Sequence, residues 1–216
     1  MIQADQTTIE EYESRGWWGK QTLGEIFLDT AARQPEVFAV ADAPNRAELF
    51  GGTPKRWSWS ELREQTGRMC ALFEQQGLVK DDIIVVQLPN CVEMHVLYLA
   101  CAVSGIMISP VPMQYRAHEL EYVVQSTQAK GFVSIQRLGK YMAADEVAQM
   151  RGALPSLQWI WAYEDGSGQA LPGGVSSLDA LLENNTPWND EQMRAKIKRI
   201  GLTANDVFTI CWTSGT

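Results

Sequence analysis

Residues 81–93 read DDIIVVQLPNCVE, and this stretch decides the fold class. The unbroken apolar run over residues 83–88 predicts a strand that is covered on both faces, as in parallel sheets flanked by helices. A Pro-Asn turn follows, and Asn90 is the expected cap of a buried helix over residues 91–104. The stretch therefore predicts the first half of a strand, helix, strand unit.

The same alternation continues over the rest of the chain and predicts an α/β fold with a largely parallel, helix-flanked sheet. We expect an N-terminal arm over residues 1–21 and one α/β subdomain over residues 22–216. The predicted elements are a helix from Leu23, strands over 37–41 and 55–59, a helix from a cap at Ser60 to Gly77, the strand 83–88, the helix 91–104 with Gly105 at its end, the strand 106–109, the helix 117–127, the strand 131–135, the helix 141–150, the strand 158–162, the helices 178–183 and 190–200, and a last strand over 207–211.

The bulk composition indicates a folded, acidic protein. Hydrophobic residues make up 45% and charged residues 20% of the 216 residues, close to the averages of soluble globular proteins. The net charge of -8 repels phosphate backbones, so nucleic-acid binding would need a local basic patch. We interpret the densest basic group as a solvated helix face and expect no nucleic-acid partner. This group consists of Arg194, Lys196, Lys198 and Arg199.

Cysteine usage and hydropathy favour a cytoplasmic protein. Cys70, Cys91, Cys101 and Cys211 lie far apart, without metal-type spacing, and each is expected to be a small buried hydrophobe in a reducing compartment. The first residues lack the basic and apolar pattern of a secretory signal. The most apolar region, residues 83–113, is broken by proline, glycine and charge, so it cannot supply the ~20 apolar residues of a membrane span.

The two histidines suggest no catalytic site. His95 lies on the predicted buried helix and is expected to be a hydrogen-bonded core residue. His118 lies near a helix start and is expected at the surface. Neither has an obvious catalytic partner in the sequence.

Residues 213–216, which follow Trp212 and the last predicted strand, lie where open α/β sheets bind ligands. Thr213, Ser214, Gly215 and Thr216 would let the backbone approach a phosphate while hydroxyls donate hydrogen bonds. Such residues are also the ordinary material of turns, and on their own they favour a turn. The chain has no Walker-type loop and no G-x-S-x-G elbow, so Ser214 has no motif support as a nucleophile.

Three stretches together resemble the N-terminal portion of the adenylate-forming enzyme superfamily, which contains acyl-CoA synthetases, aryl-CoA ligases, luciferases and peptide-synthetase adenylation domains. Residues 81–93 are similar to its strand and turn GD-x-V-x-x-x-L-P-N-x-x-E, with Asp81 in place of the usual glycine. Residues 99–130 are similar to the segment that follows. Residues 206–216 are similar to the strand and opening of its phosphate loop, T-S-G-T-T-G-x-P-K-G.

The resemblance implies a two-step reaction and assigns residues to it. A carboxylate attacks the α-phosphate of ATP, which gives an acyl-adenylate and pyrophosphate, and the thiol of CoA then displaces AMP. Residues 213–216 would hold the ATP phosphates with Mg²⁺. Arg137, and with it Lys140, would contact the 3'-phosphate of CoA, with a solvated loop as the alternative. The family's Mg²⁺-binding acid and catalytic lysine have their counterparts beyond Thr216. The resemblance therefore implies that no catalytic residue lies in this chain and that the 216 residues alone are inactive.

Other interpretations stay open. A non-catalytic nucleotide-binding or interaction module would share the fold. An aryl-acid AMP ligase or a peptide-synthetase adenylation domain would share all three stretches. The sequence leaves open which carboxylate is activated, and whether the chain forms a homodimer.

Overall fold

A computed structural model describes residues 1–213, so the predictions for residues 214–216 lie outside the described part of the chain. The helices are α1 Gln6–Ser14, α2 Leu23–Arg33, α3 Arg46–Leu49, α4 Trp59–Gln75, α5 Val92–Ser104, α6 Ala117–Thr127, α7 Ala143–Met150 with a short 3-10 turn Arg151–Ala153, α8 Leu178–Glu183 and α9 Asp190–Arg199. The strands are β1 Phe38–Ala41, β2 Arg56–Ser58, β3 Ile83–Val86, β4 Met107–Pro110, β5 Gly131–Ile135, β6 Trp159–Tyr163 and β7 Ser176–Ser177.

The main sheet is parallel throughout, which confirms the predicted fold class. Its strand order is β4-β3-β5-β6-β7, and β1 and β2 form a separate antiparallel pair. β3 has Met107 beside Ile83 on one side and Gly131 beside Ile84 on the other. The chain therefore turns to one side of β3 to form β4 and to the other side to form β5, which makes the carboxyl ends of β3 and β5 a topological switch point.

The apolar run of β3 is buried because both faces of the sheet are covered. Ile84 and Val86 pack into a large apolar cluster with α4 and α5, whereas Val85 packs into a second cluster with α6 and α7. All three side chains have no exposed surface. The continuous hydrophobic pattern that predicted a doubly covered strand is thus explained.

Two predicted helix caps are wrong. α4 is capped by Ser58 rather than Ser60, because the Ser58 hydroxyl accepts from the Glu61 N–H at 3.3 Å while the Glu61 carboxylate accepts from the Ser58 N–H at 2.7 Å. This reciprocal pair satisfies two N–H groups at once. α5 begins after Cys91, with no side-chain cap, so Asn90 does not have its predicted role.

Backbone conformations with positive φ mark several element ends. Gly77 and Gly105 have φ of 75° and 69°, and both end helices as predicted. Asp81 has φ of 70° in the turn before β3, at the position where the resembling family has glycine. A non-glycine residue there carries a steric cost, because Cβ approaches the following carbonyl oxygen.

The N-terminal arm includes one helix that the sequence patterns did not predict. It contains α1, whose polar composition gives little apolar periodicity and whose start is fixed by the Asp5 carboxylate accepting from the Thr8 N–H at 2.9 Å. Ile2 forms an isolated antiparallel bridge with Asp206. The arm therefore packs against the segment that leads to the chain's last residues.

Three predicted environments are wrong. His95 lies on the solvent side of α5 and is exposed, with its Nδ1 3.2 Å from the Cys91 carbonyl. Lys196 is buried rather than solvated, because its ammonium pairs with Glu74 in α4. Cys211 is exposed, while the other cysteines are buried as expected.

Candidate functional site

The segment before the predicted phosphate loop runs along the free edge of β4. Thr209 forms a single parallel bridge with Ile108. The Ile108 N–H donates to the Phe208 carbonyl at 3.1 Å, and the Ile210 N–H donates to the Ile108 carbonyl at 3.0 Å. The regular strand predicted over residues 207–211 is therefore wrong, because only one residue of β4 exchanges hydrogen bonds with it. Its parallel course still carries the chain to the carboxyl edge of the sheet.

Of the residues predicted to bind ATP phosphates, Thr213 is described and is exposed at this edge. Its backbone N–H and hydroxyl are donors that suit a phosphate oxygen. Ser214, Gly215 and Thr216 lie outside the described residues. The described part of the loop thus has the exposure and the donor chemistry that the assignment requires at Thr213.

Arg137 follows β5 at the switch point and is held by a buried carboxylate. Its Nε pairs with Asp165, and its Nη1 donates to the Gly139 carbonyl at 3.3 Å. Burial alone would raise the pKa of Asp165, but hydrogen bonds from Ser167 and Arg137 lower it, so this carboxylate stays charged. The Arg137 side chain is 31% exposed, and its Nη2 can donate to a further anion. Lys140, nearby in the chain, is exposed.

Arg137 and Thr213 are not brought together. The segment that ends at Thr213 lies outside β4, and β4 and β3 lie between it and β5. With neighbouring strands about 4.8 Å apart, three such spacings separate the two by about 14 Å. The two predicted contacts would therefore meet different parts of a ligand, or different ligands.

A buried amide fixes the loops between these two positions. Gln87, directly after β3, has no exposed surface. Its Nε2 donates to the carbonyls of Pro112 and Tyr115 at 3.2 and 3.0 Å, and its N–H donates to Val133 at 2.8 Å. Its Oε1 is buried and has no hydrogen-bond partner within residues 1–213. Gln87 thus ties the loop after β4 to the end of β3, and sequence patterns gave it no role.

The glutamate that ends the stretch 81–93 forms a buried ion cluster. Glu93 accepts from Arg46 Nη2 at 2.7 Å and pairs with Lys55. Arg46 also pairs with Asp42 at 2.7 Å. Burial alone would raise the pKa of Glu93, but the hydrogen bonds and positive charges of Arg46 and Lys55 lower it to about 2. The motif marks Glu93. Arg46 lies between the predicted strands and Lys55 begins the strand predicted over 55–59, and no sequence pattern signals that either pairs with Glu93.

A cavity lies away from the carboxyl ends of the strands. It has a volume of about 610 Å³ and lies between the arm, α2, the start of β4 and residues 202–208, at the amino end of β4. Within residues 1–213 no group of three or more His, Cys, Asp or Glu side chains could hold a metal ion. No helix in the same residues has the length and apolar character to cross a membrane. Because the cavity lies elsewhere, we place the candidate site at the carboxyl edge of the sheet, where the chain emerges at Thr213.

Comparisons with known proteins give one family. Residues 27–216 match AMP-binding enzymes. The medium-chain fatty-acid–CoA ligase of Escherichia coli (strain K12) is 27% identical over 176 residues, which are 81% of this chain and 29% of that protein. The 2,3-dihydroxybenzoate-AMP ligase of Bacillus subtilis (strain 168) is 26% identical over 152 residues, which are 70% of this chain and 26% of that protein. The chain therefore spans less than a third of these relatives.

A solved structure has the same fold. The anthranilate CoA ligase AuaEII, crystallised in complex with anthranoyl-AMP, superposes with a TM-score of 0.70 at 12% identity, over 90% of this chain and 32% of that one. The relatives are thus acyl-CoA ligases and aryl-acid AMP ligases, in agreement with the resemblance read from the sequence. Because the match covers nearly the whole α/β part, the chain belongs to the family of AMP-binding enzymes.

Proposed function

We propose that the chain is the N-terminal part of an ATP-dependent carboxylate–CoA ligase. The observation that carries this proposal is the family match over residues 27–216, which includes both the β3 stretch and the opening of the loop. A CoA ligase among the relatives supports the choice of acceptor. The proposed reaction forms an acyl-adenylate and pyrophosphate from a carboxylate and ATP, and then a thioester and AMP from the adenylate and CoA.

In this proposal residues 213–216 bind the β- and γ-phosphates of ATP. Thr213 donates from its hydroxyl and N–H to phosphate oxygens, which holds the leaving pyrophosphate in line with the attacking carboxylate. Mg²⁺ would neutralise part of the phosphate charge when bound with ATP. Arg137 donates its free guanidinium N–H groups to the 3'-phosphate of CoA, while Asp165 keeps the guanidinium in place.

We further propose that the 216-residue chain binds phosphate weakly and does not catalyse the reaction. It contributes an arm over residues 1–21 and an α/β subdomain over residues 22–216, and the catalytic groups come from elsewhere in the whole protein. The whole protein could form a homodimer, for which light scattering would give twice the molar mass of one chain.

The test compares this chain with the product of the full open reading frame that encodes it. Both are incubated with ATP, Mg²⁺, labelled pyrophosphate and a panel of aliphatic and aromatic carboxylates. We expect carboxylate-dependent exchange of label into ATP for the full product and none for the chain alone. Absence of exchange for the full product with every carboxylate would overturn the proposal.

A second candidate, an aryl-acid AMP ligase, is favoured by the dihydroxybenzoate-activating relative. The two differ in the second step. A CoA ligase releases AMP and forms an acyl-CoA when CoA is added, whereas the alternative exchanges pyrophosphate and forms no acyl-CoA. For the CoA ligase, Arg137→Ala should raise the KM for CoA without changing that for ATP, and Lys198→Ala, which removes an exposed cation on α9, is the control.

A further inference from the structure

Residues 207–212, which lead into the predicted phosphate loop, are attached to β4 by few contacts. Residues 207–210 contact β4 through Ile108, to whose carbonyl the Thr209 hydroxyl also donates at 3.0 Å, and the Val207 N–H donates to the Met1 carbonyl at 2.8 Å. A segment with so few backbone hydrogen bonds opens easily, because each contributes only about 1 kcal/mol. Its position therefore depends on side-chain contacts as well.

Trp212 supplies such a contact one residue before Thr213. Its indole Nε1 donates to the Ser109 hydroxyl at 2.8 Å. Ser109 lies in β4 and has no exposed surface, so its hydroxyl needs a partner inside the protein. The indole N–H can only donate, so the Ser109 oxygen is the acceptor in this hydrogen bond.

The indole ring is also fixed by packing. It lies edge-on to Tyr122 of α6, with ring centroids 5.8 Å apart at 73°. The same ring packs against the apolar cluster that contains Val85 and Leu120. Trp212 therefore joins the segment to β4 by a hydrogen bond and to α6 by ring contact, and the chain emerges to solvent at Thr213.

We propose that Trp212 is a positioning residue that sets where the chain enters the phosphate loop, through its hydrogen bond to Ser109. This inference rests on the proposed function for its consequence but not for its structural part. In this role the indole acts through its hydrogen bond to Ser109. It fixes the start of the loop relative to the carboxyl edge of β4, and with it the donors of Thr213.

The structural part is tested in the chain itself by amide hydrogen exchange. Trp212→Phe keeps an aromatic ring and removes the N–H, and Ser109→Ala removes the acceptor. Each should speed exchange of the Ile210 amide by about 2- to 12-fold, the range expected for one neutral hydrogen bond. The double variant should be no faster than the single ones. Tyr122→Phe, which keeps the ring contact, should leave the rate unchanged.

A second control separates loss of an indole from loss of this hydrogen bond. Trp159 lies in β6, and its ring stacks on that of Trp161, with centroids 6.0 Å apart, rather than on residues 207–213. Trp159→Phe should leave exchange at Ile210 unchanged. Unchanged exchange in Trp212→Phe, or additive effects in the double variant, would overturn the anchor whatever the enzyme's activity.

The functional part is measured in the product of the full open reading frame. Trp212→Phe and Ser109→Ala should raise the KM for MgATP in pyrophosphate exchange by a similar factor and leave the KM for the carboxylate unchanged. A purely structural role would lower the amount of active protein and leave both KM values unchanged, which would overturn the positioning role. If the wild type shows no exchange, the proposed function fails, and the Ile210 exchange rate still decides the anchor.

Discussion

Replacing Glu93 with glutamine tests the buried ion cluster most sharply. The Glu93 side chain is 4% exposed and lies between Arg46, which is 7% exposed, and Lys55. Glutamine keeps the shape but removes the negative charge, so both cations lose a partner and Arg46 keeps Asp42 alone. Breaking one member of a buried ion pair costs about 3–5 kcal/mol of unfolding free energy.

The lowered pKa of Glu93 gives a second value for the free energy that the cluster contributes to folding. It is lowered to about 2 in the folded chain and is about 4.3 in an unfolded one. A shift of roughly two units corresponds to about 3 kcal/mol. Because the folded pKa is the lower one, this stability is present above pH 4–5 and is lost as the pH falls towards 2.

The assay is urea denaturation of the wild type and Glu93→Gln at pH 7 and at several pH values down to 3. We expect the variant to be about 3–5 kcal/mol less stable at pH 7 and to lose less stability than the wild type on acidification. Glu64→Gln is the matched control, because Glu64 is 51% exposed in its pair with Arg68 and should contribute under about 1 kcal/mol. A loss below about 1 kcal/mol at pH 7, or equal pH dependence of the two proteins, would refute the reasoning.

Three further changes probe the backbone. Asp81→Gly should raise the unfolding free energy by about 0.5–1 kcal/mol, because Asp81 has a φ of 70° that glycine adopts without a steric cost. Ser58→Ala should lower it by about 1 kcal/mol through loss of the α4 cap, whereas Ser60→Ala should have a smaller effect. Gly67→Ala should lower it by about 1–3 kcal/mol, since the new Cβ would lie 2.3 Å from the Trp188 carbonyl oxygen. All three are measured by chemical denaturation.

The controls for these variants come from the same chain. Asp81→Ala keeps a Cβ in the same conformation and should not stabilise; equal gains from alanine and glycine would contradict the steric explanation. Gly152→Ala places its Cβ where no atom lies within 4 Å. A loss as large in Gly152→Ala as in Gly67→Ala would contradict the role of the Trp188 contact.

The fold was predictable from the sequence where one pattern had one physical meaning. The apolar run of residues 83–88, bounded by Pro89 and Asn90, favoured a doubly covered strand, and the structure has β3 there; Gly77 and Gly105 ended helices as expected. The cap of α4 was misplaced because Ser58 and Ser60 have the same chemistry, and only the reciprocal partner Glu61 distinguishes them. The S-x-x-E pattern of residues 58–61 encodes this choice, and the predicted cap was wrong because Glu61 was not weighed with it.

The sequence predicted that the chain reaches the carboxyl edge of the sheet at Thr213, but it did not predict the contacts that hold the neighbouring residues. A loop after a strand at the carboxyl edge follows from chain order, and Thr213 emerges there. The partner of Arg137, Asp165, is far from it in sequence and lies in a segment read as loop. Lys196 was read as solvated because its neighbours are charged, yet it pairs with Glu74 across a helix interface. Long-range pairs of this kind have no local pattern.

We propose that the chain is the front part of a carboxylate-activating AMP-binding enzyme. Carboxylate-dependent exchange of labelled pyrophosphate into ATP is the decisive measurement. We expect exchange from the product of the full open reading frame and none from the 216-residue chain. Exchange by the chain alone, or none by the full product with any aliphatic or aromatic carboxylate, would contradict the account.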